Sequence, residues 1–154
     1  MLLYLMRHGE AVQGANDSQR PLSVKGKQES AKVGQFLLRK KVEIDIFYHS
    51  AKQRSQETAW IVKDILNPKA QFKMRDDLAP YGSAQSVMED IQSWKNTVMI
   101  VSHLPFLPRL ISLLVTGRED ANIIGMPTGS VVVLAKDSSP HWRIQEIILP
   151  EQVS

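Results

Sequence analysis

Leu2 to Met6 is apolar at every position and runs straight into Arg7-His8-Gly9-Glu10. A strand with one wet face alternates apolar and polar residues. An unbroken apolar run bounded by a glycine belongs instead to a short strand buried on both faces, as in the middle of a parallel sheet. Val98 to Ser102 is a second such run and ends on His103. A chain built around strands of this kind needs helices to cover both faces of the sheet.

Those helices are readable. Ser23 is placed to cap a helix reaching about Arg39, with Val33, Phe36 and Leu37 on one stripe. Ile44 to Tyr48 is the next strand. Lys52 to Leu66 follows as a helix with Ala59, Val62 and Leu66 on one face, stopped at Asn67-Pro68. Met74 to Ala84 carries loop signals, and Val87, Ile91 and Trp94 mark a short amphipathic helix. A helix from about Pro105 turns Leu107, Leu110, Ile111 and Leu114 inward and exits at Gly117. Ser130 to Ala135 and Trp142 to Leu149 read as two strands joined by the turn Lys136 to Pro140.

The order is strand, helix, strand, helix, helix, strand, helix, strand pair. It predicts an α/β three-layer sandwich: a mainly parallel central sheet, helices on both faces and an antiparallel edge. With 154 residues, 43% of them hydrophobic, and no linker or repeat, residues 1–154 are expected to form a single domain.

Nineteen Lys and Arg against sixteen Asp and Glu leave a formal charge of only +3, scattered along the chain and not interleaved with aromatics. This is not the stripe of a nucleic-acid binder. No cysteine is present, which excludes disulfides, cysteine-rich zinc sites and cysteine nucleophiles. The first residues have no basic n-region, and their apolar run is too short for a membrane span. The expectation is a cytoplasmic protein with no membrane or nucleic-acid partner, a monomer by default.

Ligands of open α/β sheets sit at the carboxyl ends of the strands. Arg7 and His8 leave the first strand there, His103 leaves the third, and Arg54 lies in the first turn of the helix after the second. Two arginines, two histidines and helix N-termini converging on one edge describe an anion site, best suited to phosphate. Each residue alone has an ordinary explanation: a strand-end surface pair, a solvated helix position, a helix cap. The combination is what points to a site.

These residues resemble the histidine phosphatase superfamily, the phosphoglycerate mutase-like fold. The likeness rests on "RHG" at Arg7 to Gly9, "RPLSVKG" at Arg20 to Gly26, Ser50, Arg54 and Glu57 to Ala59, and "VSH" at Val101 to His103. Within the family, the short chain and the "RPLS" form look most like the small single-domain bacterial phosphohistidine phosphatases of phosphorelay systems.

The resemblance implies that His8 is the nucleophile and forms a phosphohistidine intermediate, its other ring nitrogen holding a proton against a backbone carbonyl. It implies that Arg7, Arg54 and His103 hold the phosphoryl oxygens. Arg20 either reaches the phosphate rim or makes a structural salt bridge. Neither a cofactor nor a metal is called for, since phosphoryl transfer of this kind works by positioning and electrostatics, and no metal or Walker motif is present.

The chain departs from the wider family at one place. Where mutases and many phosphomonoesterases carry a glutamate that protonates the leaving oxygen, "DDLAPYG" puts Pro80. A general acid is commonly worth about 10²–10⁴-fold to an alkoxide leaving group. An imidazole leaving from phosphohistidine can be protonated at its other nitrogen beforehand. The expected substrate is therefore phosphohistidine on a phosphotransfer domain or phosphocarrier protein. Glu10, Asp17, Asp76 and Asp77 stay open as proton donors. The alternatives are a small-molecule phosphomonoesterase and a non-catalytic phosphoprotein-binding module.

His49 suits a local hydrogen bond or a place on the rim, and His141 a structural role. Ser102 suits either orienting the loop of His103 or a simple turn. Leu104-Pro105-Phe106 suits core packing or a docking surface.

Overall fold

The computed structural model describes residues 1–136 and 140–153. The expected turn at Lys136 to Pro140 falls largely on 137–139, outside the described residues.

The first apolar run forms β1 (Leu2–Arg7), which leads to α1 (Val24–Arg39), β2 (Ile46–His49), α2 (Gln53–Leu66), β3 (Gln71–Met74), α3 (Ala84–Ile91), β4 (Val98–Ser102), α4 (Phe106–Thr116), β5 (Val131–Lys136) and β6 (Trp142–Ile148). One six-stranded sheet has the order β3-β2-β4-β1-β5-β6. β1, β2, β3 and β4 run parallel, while β5 is antiparallel to β1 and β6 to β5. The sandwich and its antiparallel edge are as the sequence predicts.

The unbroken apolar runs explain the layering. Leu3, Leu5, Val98, Ile100, Val132 and Leu134 face one side and pack on Val87 and Ile91 of α3 and Leu107, Leu110, Ile111 and Leu114 of α4. Tyr4, Met6, Met99, Val101, Val131 and Val133 face the other and pack on Val33 and Leu37 of α1 and Ala59, Val62 and Leu66 of α2. Each central strand is thus buried on both faces, and side-chain alternation sends neighbours to opposite cores.

Helix ends follow their signals. The Ser23 side chain accepts from the Gly26 amide, an N-cap whose loss to Ala typically costs about 1 kcal/mol. α4 ends on Gly117 in the left-handed region at φ 83. Trp94 lies beyond the end of α3 and stacks on Tyr48 at 5.0 Å instead of extending the helix.

β3 has no counterpart in the sequence reading, which left 69–73 unassigned. It is a four-residue edge strand, mostly exposed, in which Gln71-Phe72-Lys73-Met74 alternates polar and apolar residues too briefly to be distinctive. Its place is set by pairing with β2, Phe47 opposite Phe72. Polar residues on such an edge also discourage pairing with other chains. Within the stretch read as loop, Asp76–Leu78 makes one turn of 3-10 helix.

Among the described residues no helix is long and apolar enough to cross a membrane.

Candidate active site

Strand order assembles the site. β4 lies between β1 and β2, with Arg7 opposite Ser102 and His49 opposite Val101. The residues just beyond these pairs are His8, His103 and Ser50, so three loops distant in sequence leave the sheet side by side. The first turn of α2 adds Arg54. The resulting cleft, of about 310 Å³, is lined by Arg7, His8, Glu10, Ala11, Arg20, Arg54, His103, Leu104 and Thr128. All five residues expected to hold a phosphoryl group are brought together there.

A larger groove of about 690 Å³ runs along α2, past Gln53, Gln56, Trp60 and Phe72. No histidine or arginine lines it, so the chemistry belongs to the smaller cleft.

The His8 and His103 rings face one another with centroids 5.0 Å apart and planes inclined by 52°. His8 Nδ1 lies 2.7 Å from Gly9 O. A carbonyl only accepts, so Nδ1 carries the proton and Nε2 keeps its lone pair. His103 Nε2 lies 2.6 Å from Ser50 Oγ, which also accepts from the Lys52 amide at 3.2 Å. With one lone pair taken by the Lys52 amide, Ser50 Oγ is free to donate its proton to Nε2, and in that arrangement the His103 proton sits on Nδ1.

Burial of polar groups without partners costs free energy, so orphans mark places meant for a ligand. Among the described residues, three buried side-chain atoms have no partner: Arg7 Nε, Arg54 Nε and His103 Nδ1. All three are donors and all three belong to this cleft.

The electrostatics match. Burial pushes His8 down to about 4, against the pull of the Gly9 carbonyl and with help from Arg54, Arg7 and Arg20. Burial, then His8, Arg54 and Lys52, push His103 down to about 3. Arg7 is also lowered, by burial and by Arg54. Cations crowd a buried space whose imidazoles are held neutral, and an oxyanion would relieve that crowding.

The loops are fastened to one another. Gly9 N donates to Thr58 Oγ1 at 3.0 Å, and Thr58 Oγ1 donates to Arg54 O at 2.8 Å. Glu57 takes the Leu22 amide at 2.9 Å, tying the "RPLS" segment to α2. Gly9 and Gly26 cross closely: a Cβ on Gly26 would stand 2.2 Å from Glu10 O. Arg7 Nη1 donates to Met126 O at 3.0 Å, and Gly129 N donates to both Arg7 O and His8 O.

Arg20 stands at the mouth of the cleft and also makes structural contacts. It lines the cleft, and it bonds Val12 O and Ala11 O while standing 3.7 Å from Asp17. His49 makes a local bond, Nδ1 to Ser50 O at 2.8 Å. Ser102 anchors the loop before His103 by donating to Leu78 O. Phe106 is core, whereas Leu104 is partly exposed at the cleft.

Of the four candidate proton donors, Glu10 alone lines the cleft, its carboxylate accepting from Ser23 Oγ at 2.6 Å. Asp77 is held ionised by Arg75 at 2.6 Å. Asp17 is held down to about 2, first by the Lys52 bond and then by Arg54. Asp76 is exposed.

Sequence reasoning missed Thr128. It precedes β5, and the antiparallel direction of β5 brings its start to the edge where β1 ends. The strand order was the signal needed.

The geometry agrees with three comparisons. A model described as histidine phosphatase superfamily (branch 1) matches residues 3–82. The phosphohistidine phosphatase SixA of Escherichia coli K12 is 34% identical over 123 residues, 77% of this chain and 76% of that protein. A SixA homolog of Haemophilus influenzae is 32% identical over 131 residues, 77% and 80%. The structure of the protein histidine phosphatase SixA complexed with tungstate aligns at a TM-score of 0.89 and 28% identity over 97% of both chains. An α-ribazole-5′-P phosphatase of E. coli shares the fold, with a TM-score of 0.79 at 16% identity. With the model match, the sequence identity and the cleft in agreement, the chain belongs to the histidine phosphatase superfamily.

Proposed function

We propose that this phosphatase removes the phosphoryl group from phosphohistidine on a phosphotransfer domain or phosphocarrier protein, acting as one domain over residues 1–154. The observation that carries the reading is His8 Nδ1 committed to Gly9 O, with three buried orphan donors in the same cleft. The unprotonated Nε2 is then the nitrogen left for attack.

In the first step the Nε2 lone pair of His8 forms a bond to phosphorus as the bond from phosphorus to the substrate imidazole breaks. The leaving ring, protonated at its other nitrogen, departs neutral. In the second step water attacks phosphorus, the P–Nε2 bond breaks, and inorganic phosphate leaves. Arg7, Arg54 and His103 Nδ1–H take the phosphoryl oxygens, with Arg20 at the rim. Preorganised donors of this kind act where charge develops and need no reorganisation.

Two observations support phosphohistidine over an ester. Asp17 and Asp77 are committed to cations and are poor acids. The two relatives above 30% identity are a phosphohistidine phosphatase and its homolog. Glu10 in the cleft favours the second reading, a phosphomonoesterase, because it is placed to protonate a leaving oxygen.

The test is turnover of a phosphohistidine-bearing phosphotransfer protein beside a set of sugar phosphates, for wild type, His8→Ala and His103→Ala. Preference for the phosphoprotein, abolished by His8→Ala, is the expected outcome. Faster turnover of sugar phosphates would assign the chain to phosphomonoesters, and binding without turnover would make it a phosphoprotein reader.

A further inference from the structure

Asp17 opens the one-turn 3-10 helix Asp17–Gln19 and touches three cations at once. Its carboxylate lies 2.9 Å from Lys52 Nζ, 3.5 Å from Arg54 Nη2 and 3.7 Å from Arg20 Nη1. Lys52 Nζ also donates to Ser18 Oγ at 3.2 Å. Asp17 does not itself line the phosphoryl cleft, but Arg20 and Arg54 do.

We propose that Asp17 is the fixed counter-charge of the phosphoryl cleft: its carboxylate weakens the grip of Arg54 and Arg20 on the product phosphate and so speeds its release. The inference rests on the reading that this cleft takes a phosphoryl group.

Two effects of the carboxylate oppose each other. It could orient Arg54, in which case removing it would weaken anion binding. It also repels a dianion held on the same guanidinium, in which case removing it would tighten binding. The distances decide between them. Arg54 is oriented by Asp17 O, which its Nη1 meets at 2.7 Å, and that bond belongs to the main chain. The carboxylate contact at 3.5 Å is long for a charge-assisted bond. Substitution of the side chain therefore removes the charge and keeps the orientation. Arg54 Nε, on the same guanidinium, is a buried orphan, so a bound phosphate and Asp17 share one cation. Asp17 is exposed, so solvent screens the repulsion and the expected effect is moderate.

The experiment measures inorganic phosphate binding by calorimetry in wild type, Asp17→Asn, Asp17→Ser and Asp120→Asn. The last removes the same charge at an exposed pair with Arg118. Phosphate is expected to bind several-fold more tightly to both Asp17 variants than to wild type, with the gain shrinking at high salt and Asp120→Asn unchanged. Where release limits turnover, KM and kcat should fall together and leave kcat/KM unchanged, a pattern that loosening of the fold would not produce. Equal or weaker phosphate binding in either Asp17 variant overturns the proposal while leaving the phosphoryl cleft standing. Failure of wild type to bind phosphate at all overturns the cleft reading, and this inference with it.

Discussion

His103 Nε2 lies 2.6 Å from Ser50 Oγ, a bond that joins the ends of β4 and β2 and aims the opposite ring nitrogen into the cleft. When Ser50 donates to Nε2, the His103 proton is held on Nδ1, and that tautomer offers the cleft a donor in place of a lone pair. Ser50 is therefore a positioning residue for the second imidazole.

Ser50→Ala removes that bond and lets the His103 proton settle on Nε2. The expected loss in kcat is about five- to tenfold, the effect of one hydrogen bond of about 1–1.4 kcal/mol. The ¹⁵N shifts of the His103 ring should exchange their protonated and unprotonated positions. An unchanged tautomer with unchanged kcat would remove Ser50 from the machinery.

Acid should destabilise the protein through the two cleft histidines. Both are pushed down, to about 4 and about 3, whereas an imidazole in the unfolded chain titrates near 6.5. Between those values the unfolded chain binds more protons, so stability rises with pH through that window. The contribution is complete above about pH 6.5 and is lost as pH falls toward 4 and then 3. Thermal unfolding between pH 7 and 4 should show a falling Tm, with a shallower fall in His103→Gln. Added phosphate should raise the His103 pKa, read by NMR; a lowered value would refute an oxyanion beside that ring.

Thr58→Val should cost about 1–3 kcal/mol, because it leaves the buried Gly9 amide without its acceptor while keeping the side-chain shape. Activity should fall further than stability, since the amide belongs to the loop carrying His8. Thr58→Ser, which keeps the hydroxyl, should restore most of both. Urea unfolding and turnover on the same samples measure the two effects.

Gly26→Ala should be among the most damaging single-methyl additions. Its Cβ would stand 2.2 Å from Glu10 O, a backbone atom that cannot swing away. Overpacking of this sort costs typically about 1–3 kcal/mol, and here it also displaces the residue two after His8. Gly125→Ala, with nothing within 4 Å, is the control and should change the urea midpoint little. Equal midpoints for the two variants would show that the crossing of α1 and the His8 loop is slack.

The layers of this protein were legible because its central strands are uniformly apolar and its helices carry their own caps at Ser23 and Gly117. The same clarity located Arg7, His8 and His103, since a polar residue at the end of a buried strand has only the sheet edge to go to, and Arg54 follows in the first turn of the helix that leaves that edge. β3 was missed for the opposite reason: it is a mostly exposed edge strand bonded on one side, and the polar-apolar alternation of Gln71 to Met74 runs for only four residues, too short to stand out from the flanking loops.

What the sequence determined by itself is the set of elements and the edge at which the chemistry is delivered, because burial period and capping are local properties of the chain. Only the tertiary structure decided the neighbours: β4 between β1 and β2, Ser50 against His103, Asp17 against Arg54, and Thr128 in the cleft. The Ser50–His103 bond joins residues 53 positions apart, and the bond from Arg7 Nη1 to Met126 O joins residues 119 apart. They depend on which strands lie side by side, and no local pattern of residues encodes that order.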